Sequence, residues 1–274
     1  MFKVYVAWFM QLVYPAFICI ISTGWNSVSC AIYLPSILAT VAEFLCFLLF
    51  PISLTNGKHL CFIMRVLAST FMCVWWLQRR LFQTTNIFQY VHIWRSLTLG
   101  FFGFLLWVAL PSLLYFIGLQ RYQRPQPTND RVPFNWNPSL MSYNLSVKMI
   151  LLGMKIVHSV LLVPFIEEIQ IRNLAFRFMT RWICGQSSST GRSDWVLDVS
   201  LYRFCWPSII IISLGFGCCH LRYEFEWLAG FLYGVMIQVV AVKDKSVVNA
   251  VLVHIVTNLC LNVYIFISGN FYLW

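Results

Sequence analysis

The sequence predicts an all-α fold, a polytopic bundle of about eight transmembrane helices. Three observations carry this expectation. Of the 274 residues, 60% are hydrophobic and only 10% are charged, whereas a soluble domain holds about a quarter charged residues. The apolar residues are gathered into long runs, and a membrane span needs about 20 of them. Aromatic residues make up 18%, with 12 Trp and 12 Tyr, which suits interfacial belts at both membrane faces. The formal charge of +10 is scattered over short loops with no dense basic block. Attraction to anionic lipid headgroups accounts for it, and no nucleic-acid partner is expected.

Taken in order, the spans fall at about 4–22, 31–53, 60–77, 98–119, 147–167, 204–220, 227–242 and 247–268. The run from Val4 to Ile21 lacks a small-residue cleavage site and reads as a retained first helix, not a removed signal peptide. Residues 1–120 hold N-terminal helices with little chemistry. Glu43 is alone in the second span, and His92 and Arg95 precede the fourth. Residues 121–146 form a polar, proline-rich loop with Pro125, Pro127, Pro133 and Pro138. At its end Asn144-Leu145-Ser146 matches a glycosylation sequon, a triplet that also arises often by chance. Residues 147–274 contain the shorter and more polar spans, as expected of helices that line a polar cavity. Between them, residues 172–203 read as a second polar connection. In it, Arg172 to Trp182 suits a helix lying along the headgroups, and Cys184 to Gly191 a flexible loop. Lys and Arg are shared about equally between alternate loops, so the positive-inside rule sets no orientation.

Ten cysteines are present and no C-x-x-C pair occurs, which removes zinc-ribbon and redox motifs. Cys19, Cys46, Cys73, Cys218, Cys219 and Cys260 lie in apolar runs, where cysteine packs as a small apolar residue.

Three polar sites interrupt apolar helices. In Pro164-Phe165-Ile166-Glu167-Glu168-Ile169-Gln170-Ile171-Arg172, an ionisable residue at membrane depth is costly and usually functional. Glu168 and Arg172 are four apart and share a helix face, so they can pair. Glu167 is rotated by about 100°, which leaves it free to work while Glu168 and Arg172 form a structural ion pair. Pro164 can kink the helix and free backbone groups beside the carboxylate. The second site is Phe216-Gly217-Cys218-Cys219-His220, with Phe216 and His220 on one face and Gly217 permitting a close helix approach. In the third, His254 and Asn258 share a face that Asn262 continues. Each site alone has a plainer reading, as an interfacial histidine or interhelical hydrogen bonds worth about 1 kcal/mol. Together they supply a carboxylate, two imidazoles and an amide on three helices, a set sufficient for activated-water hydrolysis of an amide.

Other peptidase chemistries lack their residues. His-Glu-x-x-His is absent. Asp130, Asp194, Asp198 and Asp244 all fall in predicted loops, so no intramembrane aspartate pair exists. No nucleophile elbow lies within a span. A metal on Glu167, His220 and His254 stays open, since these ligand types suit zinc, although the set needs no cofactor. A non-catalytic scaffold or chaperone of a sorting system is the alternative from another class, but it has no use for an unpaired Glu167. A transporter predicts matching halves with broken helices, which the sequence lacks.

Glu-Glu-x-x-x-Arg, then Phe-x-x-x-His, then His-x-x-x-Asn on successive helices resembles the CAAX protease and bacteriocin-processing (CPBP, or Abi) family of glutamic intramembrane endopeptidases. The likeness covers about residues 147–268. It implies that Glu167 and His220 activate water, that His254 and Asn258 form the oxyanion site, and that Glu168 and Arg172 support the architecture. It further implies a lipid bilayer and a membrane-anchored protein or peptide substrate as partners. Trp227-Leu228-Ala229-Gly230, His254-x-x-Thr257-Asn258 and the ending Ser268-Gly269-Asn270-Phe271-Tyr272-Leu273-Trp274 look similar to the exosortase-associated subgroup. That likeness implies a bacterial inner (cytoplasmic) membrane and a role in C-terminal protein sorting. Many family members have an aromatic residue before the arginine and glycine after it, where this chain has Ile171 and Asn173. These departures bear on substrate preference more than on activity.

Overall fold

The computed structural model describes residues 62–64, 66–71, 73–74, 91–119, 143–184, 204–220 and 225–270. The expected spans 4–22 and 31–53, Glu43, most of the 121–146 loop, the 185–191 loop and the last four residues lie outside them. Among the described residues every element is helical. The helices are α1 (Phe62–Phe71), α2 (Ile93–Phe116), α3 (Leu145–Cys184), α4 (Trp206–Cys218), α5 (Glu226–Lys243) and α6 (Val247–Ser268). Helices α2, α3, α5 and α6 are long and apolar enough to cross a membrane, and α1 and α4 are shorter apolar helices. The chain is a polytopic integral membrane protein.

Surface chemistry fits a lipid surround. Helix α2 presents Phe101, Phe102, Leu105 and Phe116 outward, an arrangement that would be costly in water and is neutral in hydrocarbon. Exposed tryptophans sit at helix ends: Trp94 on α2, Trp182 on α3, Trp206 on α4 and Trp227 on α5. Those are the positions an interfacial belt requires.

Helices α4 and α5 run antiparallel, α3 runs antiparallel to α6, and α2 runs parallel to α6. Glycine sets the spacing. A Cβ on Gly217 would lie 2.5 Å from the Trp227 carbonyl oxygen and 3.0 Å from the Phe231 nitrogen. The expected close approach at Gly217 is therefore real, and the partner is α5. On α2, a Cβ on Gly100 would meet Val256 Cβ at 2.5 Å, and one on Gly103 would meet Tyr233 and Thr257. Where no apolar surface is left to hide from water, such small-residue contacts are what hold helices together. At one end of the α2–α6 pair, Arg95 ion-pairs with Asp244 in the tight α5–α6 turn. Asn249 donates to Asp244 at 3.0 Å and accepts from the His92 N–H at 2.9 Å.

Helix α3 departs from expectation. It starts at Leu145, capped by Asn144, whose side-chain oxygen accepts from Val147 N at 3.0 Å. The sequon asparagine thus serves as a helix N-cap. At the other end the helix does not stop near Arg172 and lie along the headgroups. It continues to Cys184, with Arg172, Asn173, Phe176, Arg177 and Thr180 buried. The polar residues that suggested a surface segment face inward: Arg177 Nε donates to Asn173 Oδ1 at 2.7 Å. At 40 residues, α3 contains about 60 Å of helix, twice the roughly 30 Å hydrocarbon core. It is also irregular, with π-helical turns at His158–Leu162 and Glu168–Ala175 flanking an α turn at Val163–Glu167.

Candidate active site

The irregularity of α3 starts from Pro164. In the first π turn, Val163 N–H bonds to His158 O. The next bond of that ladder would run from residue 164 to Ser159 O, but proline has no N–H. The stranded Ser159 carbonyl accepts instead from Asn258 Nδ2 of α6, at 2.7 Å. Asn262 continues the seam, with its Nδ2 donating to Asn258 O at 2.6 Å and its Oδ1 accepting from Ser159 Oγ at 3.3 Å. The expectation that Pro164 frees backbone beside the carboxylates thus takes a definite form: the freed group docks α6.

The second π turn opens at Glu168. Glu168 and Arg172 are fully buried and paired, Arg172 Nε to Glu168 Oε2 at 3.2 Å. The other carboxylate oxygen accepts from His254 Nδ1 on α6 at 2.9 Å. A contact between residues 86 apart in sequence was invisible to helix-face reasoning. Glu168 therefore does more than balance Arg172. It fixes the His254 imidazole with Nδ1 as donor, which leaves Nε2 as the acceptor, the way a carboxylate orients a catalytic histidine.

Arg172 is only partly satisfied by this pair. Both of its terminal nitrogens are buried without a hydrogen-bond partner among the described residues. Its guanidinium instead lies over the Phe216 ring, 4.6 Å from the centroid, a cation–π contact that offsets part of the cost of burial. Phe216 also meets His220, with ring centroids 4.7 Å apart. The Phe-x-x-x-His face is thereby tied to the Glu-Glu-x-x-x-Arg face through one aromatic ring.

His220 lies just beyond the end of α4. Its Nδ1 is 2.8 Å from Phe216 O. A carbonyl only accepts, so Nδ1 carries the proton and Nε2 is left as a base. Gly230 of α5 passes directly beneath, and a Cβ there would sit 3.5 Å from His220 Cβ and Nδ1. The opposite side of the imidazole meets Trp107 of α2, at 5.2 Å between centroids. Trp107 also contacts Tyr233 at 6.2 Å, and the Tyr233 ring stands edge-on to His254 at 5.6 Å. Sequence reasoning missed Trp107 and Tyr233, because in an apolar run an inward-facing aromatic looks like a lipid-facing one. For Trp107 the available signal was its place four residues after Gly103 on one face of α2; Tyr233, which packs on Gly103 from α5, carried none.

Glu167 differs sharply from its neighbour. It is half-buried, and among the described residues its carboxylate makes no hydrogen bond or ion pair. Its charge is felt at Cys219, next to His220, and at Tyr233, whose ring meets His254. Asn258 lies on the face of α6 that carries His254, but its amide is engaged by Ser159 O. Among the described residues no three His, Cys, Asp or Glu side chains converge as a metal-binding group.

The fold and site define a membrane-embedded cluster of carboxylate, imidazole and guanidinium groups on successive helices. Residues 149–260 match the family model described as Type II CAAX prenyl endopeptidase Rce1-like, and over this segment the chain is similar to that CAAX protease family. No curated protein and no solved structure matches it. The match begins within α3 and ends within α6, so it contains every predicted site residue. Trp107 lies outside it.

Proposed function

We propose that this protein is a glutamate-dependent intramembrane endopeptidase that hydrolyses a peptide bond in a membrane-anchored protein. The observation that carries this reading is the division of labour between adjacent carboxylates. Glu168 uses both oxygens to hold Arg172 and His254, whereas Glu167, among the described residues, keeps both of its own uncommitted. Glu167 and His220 Nε2 polarise a water and take its proton, and general-base help of this kind is worth about 10²–10⁴-fold. His254, oriented by Glu168, presents Nε2 toward the reacting carbonyl and serves as proton carrier or, once protonated, as oxyanion donor. The second Asn258 amide N–H completes that pocket.

The water oxygen adds to the carbonyl carbon, the C–N bond breaks, and the proton taken from water passes to the departing amine nitrogen, so the assigned steps need no cofactor. The family's name and the membrane setting support a substrate tethered to the bilayer near the cleaved bond. The tail's likeness to the exosortase-associated subgroup supports a bacterial inner-membrane setting and a role in C-terminal sorting. Glu167→Gln tests the assignment. Membrane proteomes of cells carrying wild type or this variant are compared for newly uncleaved C-terminal anchors, alongside thermal unfolding of the purified proteins. Loss of cleavage with unchanged unfolding is expected. Normal processing by a well-folded Glu167→Gln protein would remove Glu167 as the base.

A further inference from the structure

Cys184 and Cys205 lie at opposite ends of the 185–204 connection. Cys184 is the last residue of α3, and Cys205 is the N-cap of α4. Their sulfurs are 3.2 Å apart, and both are thiols. The two differ in ways that suit a sequential reaction. Cys184 is partly exposed and can be reached from outside, while Cys205 is buried. The Cys205 sulfur accepts a hydrogen bond from Ser208 Oγ at 3.1 Å. Cys205 is also the N-cap residue of a 13-residue helix. Neither residue belongs to the site described above.

From this geometry we infer that Cys184 and Cys205 form a disulfide modification site that staples the end of α3 to the start of α4. The oxidant is a small-molecule or protein disulfide, and the chemistry is thiol–disulfide exchange. The Cys184 thiolate attacks one sulfur of the oxidant and expels the other as a thiolate, giving a mixed disulfide at the accessible position. The Cys205 thiolate then attacks Cys184 Sγ and expels the second half of the oxidant. Two protein thiols and one external disulfide become one internal disulfide and two external thiols, so atoms and electrons balance. The gap to a bonded pair is about 1 Å, within reach of small χ1 rotations at two helix ends. The bond would tie together the helices that present Glu167, Glu168 and Arg172 on one side and His220 on the other. The inference does not depend on the proposed activity.

The test uses the full-length protein in detergent, treated with oxidised glutathione, blocked with an alkylating reagent and digested with trypsin without reduction. Cleavage at Arg181, Arg192, Arg203 and Arg222 places Cys184 in peptide 182–192 and Cys205 in peptide 204–222. The expected product is one linked pair of these peptides that reductant separates. Peptide 204–222 also contains Cys218 and Cys219, so the experiment is repeated on Cys205→Ser and on Cys218→Ser/Cys219→Ser. The linked species should vanish in the first and persist in the second. Alkylation of both Cys184 and Cys205 after oxidation of folded wild-type protein overturns the inference. So does a linked pair that survives Cys205→Ser. Because the primary measurement is made on wild type, poor folding of a variant does not shield the inference.

Discussion

Glu168→Gln separates the two tasks the structure gives to one carboxylate. The variant is isosteric, but an amide has one acceptor oxygen where the carboxylate has two. It can satisfy Arg172 Nε or His254 Nδ1, and its NH2 group then faces the other donor. Among the described residues Arg172 has no substitute acceptor, since its terminal nitrogens are unpartnered there and its exposure is 0%. Breaking a buried ion pair by neutralising one partner costs about 3–5 kcal/mol. At about 2–4 °C per kcal/mol for a chain of this size, the melting temperature should fall by roughly 6–20 °C. Adding Arg172→Met removes the orphaned charge and leaves an apolar side chain on Phe216. Apolar replacement of a buried pair is often neutral or stabilising, so Glu168→Gln/Arg172→Met should recover most of the lost melting temperature. Cleavage should not recover, because His254 still lacks its orienting carboxylate; we expect a deficit of about 10²-fold or more. The assays are thermal unfolding in detergent and accumulation of uncleaved substrate in cells. Wild-type melting of the single variant would refute the buried pair, and wild-type cleavage by the double variant would refute the role of Glu168 in holding His254.

Two further predictions rest on the backbone. Asn258→Ala should strand the Ser159 carbonyl and cost about 1–3 kcal/mol; adding Pro164→Ala restores an N–H at position 164 and should return much of it, so additive effects in a double-mutant cycle would sink the docking account. Gly217→Ala should destabilise by about 1–3 kcal/mol through overpacking and displace His220, because the clashing atoms belong to the α5 backbone. Gly215, which has nothing within 4 Å of its would-be Cβ, supplies the control: Gly215→Ala should be neutral or slightly stabilising, and equal unfolding temperatures for the two variants would contradict the close approach.

What the sequence disclosed follows the range of each interaction. The Glu168–Arg172 pair, the shared face of Phe216 and His220, and the need for glycine at position 217 are set within one or two helical turns, and all were readable. The Glu168–His254 bond, the Trp107–His220 ring contact and the Cys184–Cys205 contact join distant residues, and nothing local announces them. Pro164 shows the boundary between the two cases. That it frees a carbonyl follows from its missing N–H, but which side chain on which helix answers that carbonyl does not. The departure over residues 172–182 has a related cause. Arginines in an apolar context suit the headgroups, yet Arg172 and Arg177 are buried within the bundle. In a membrane protein a polar residue has two possible refuges, the interface and the interior, and composition alone does not choose between them.

The contrast between Glu167 and Glu168 gives the strongest physical reason for the catalytic assignment. Both belong to one helix and differ by a single position, so membrane depth and helix identity are nearly constant between them. What differs is hydrogen-bond capacity. For Glu168 to accept a proton from water it would have to release Arg172 or His254, each held by a charge-assisted bond worth about 1.5–3 kcal/mol. Either release would leave a buried donor without the acceptor it now has. Glu167 faces no such competition, since both of its oxygens are uncommitted. The two carboxylates thus divide the work: Glu168 holds the buried guanidinium and orients one histidine, while the oxygens of Glu167 stay uncommitted among the described residues, as the proposed base requires.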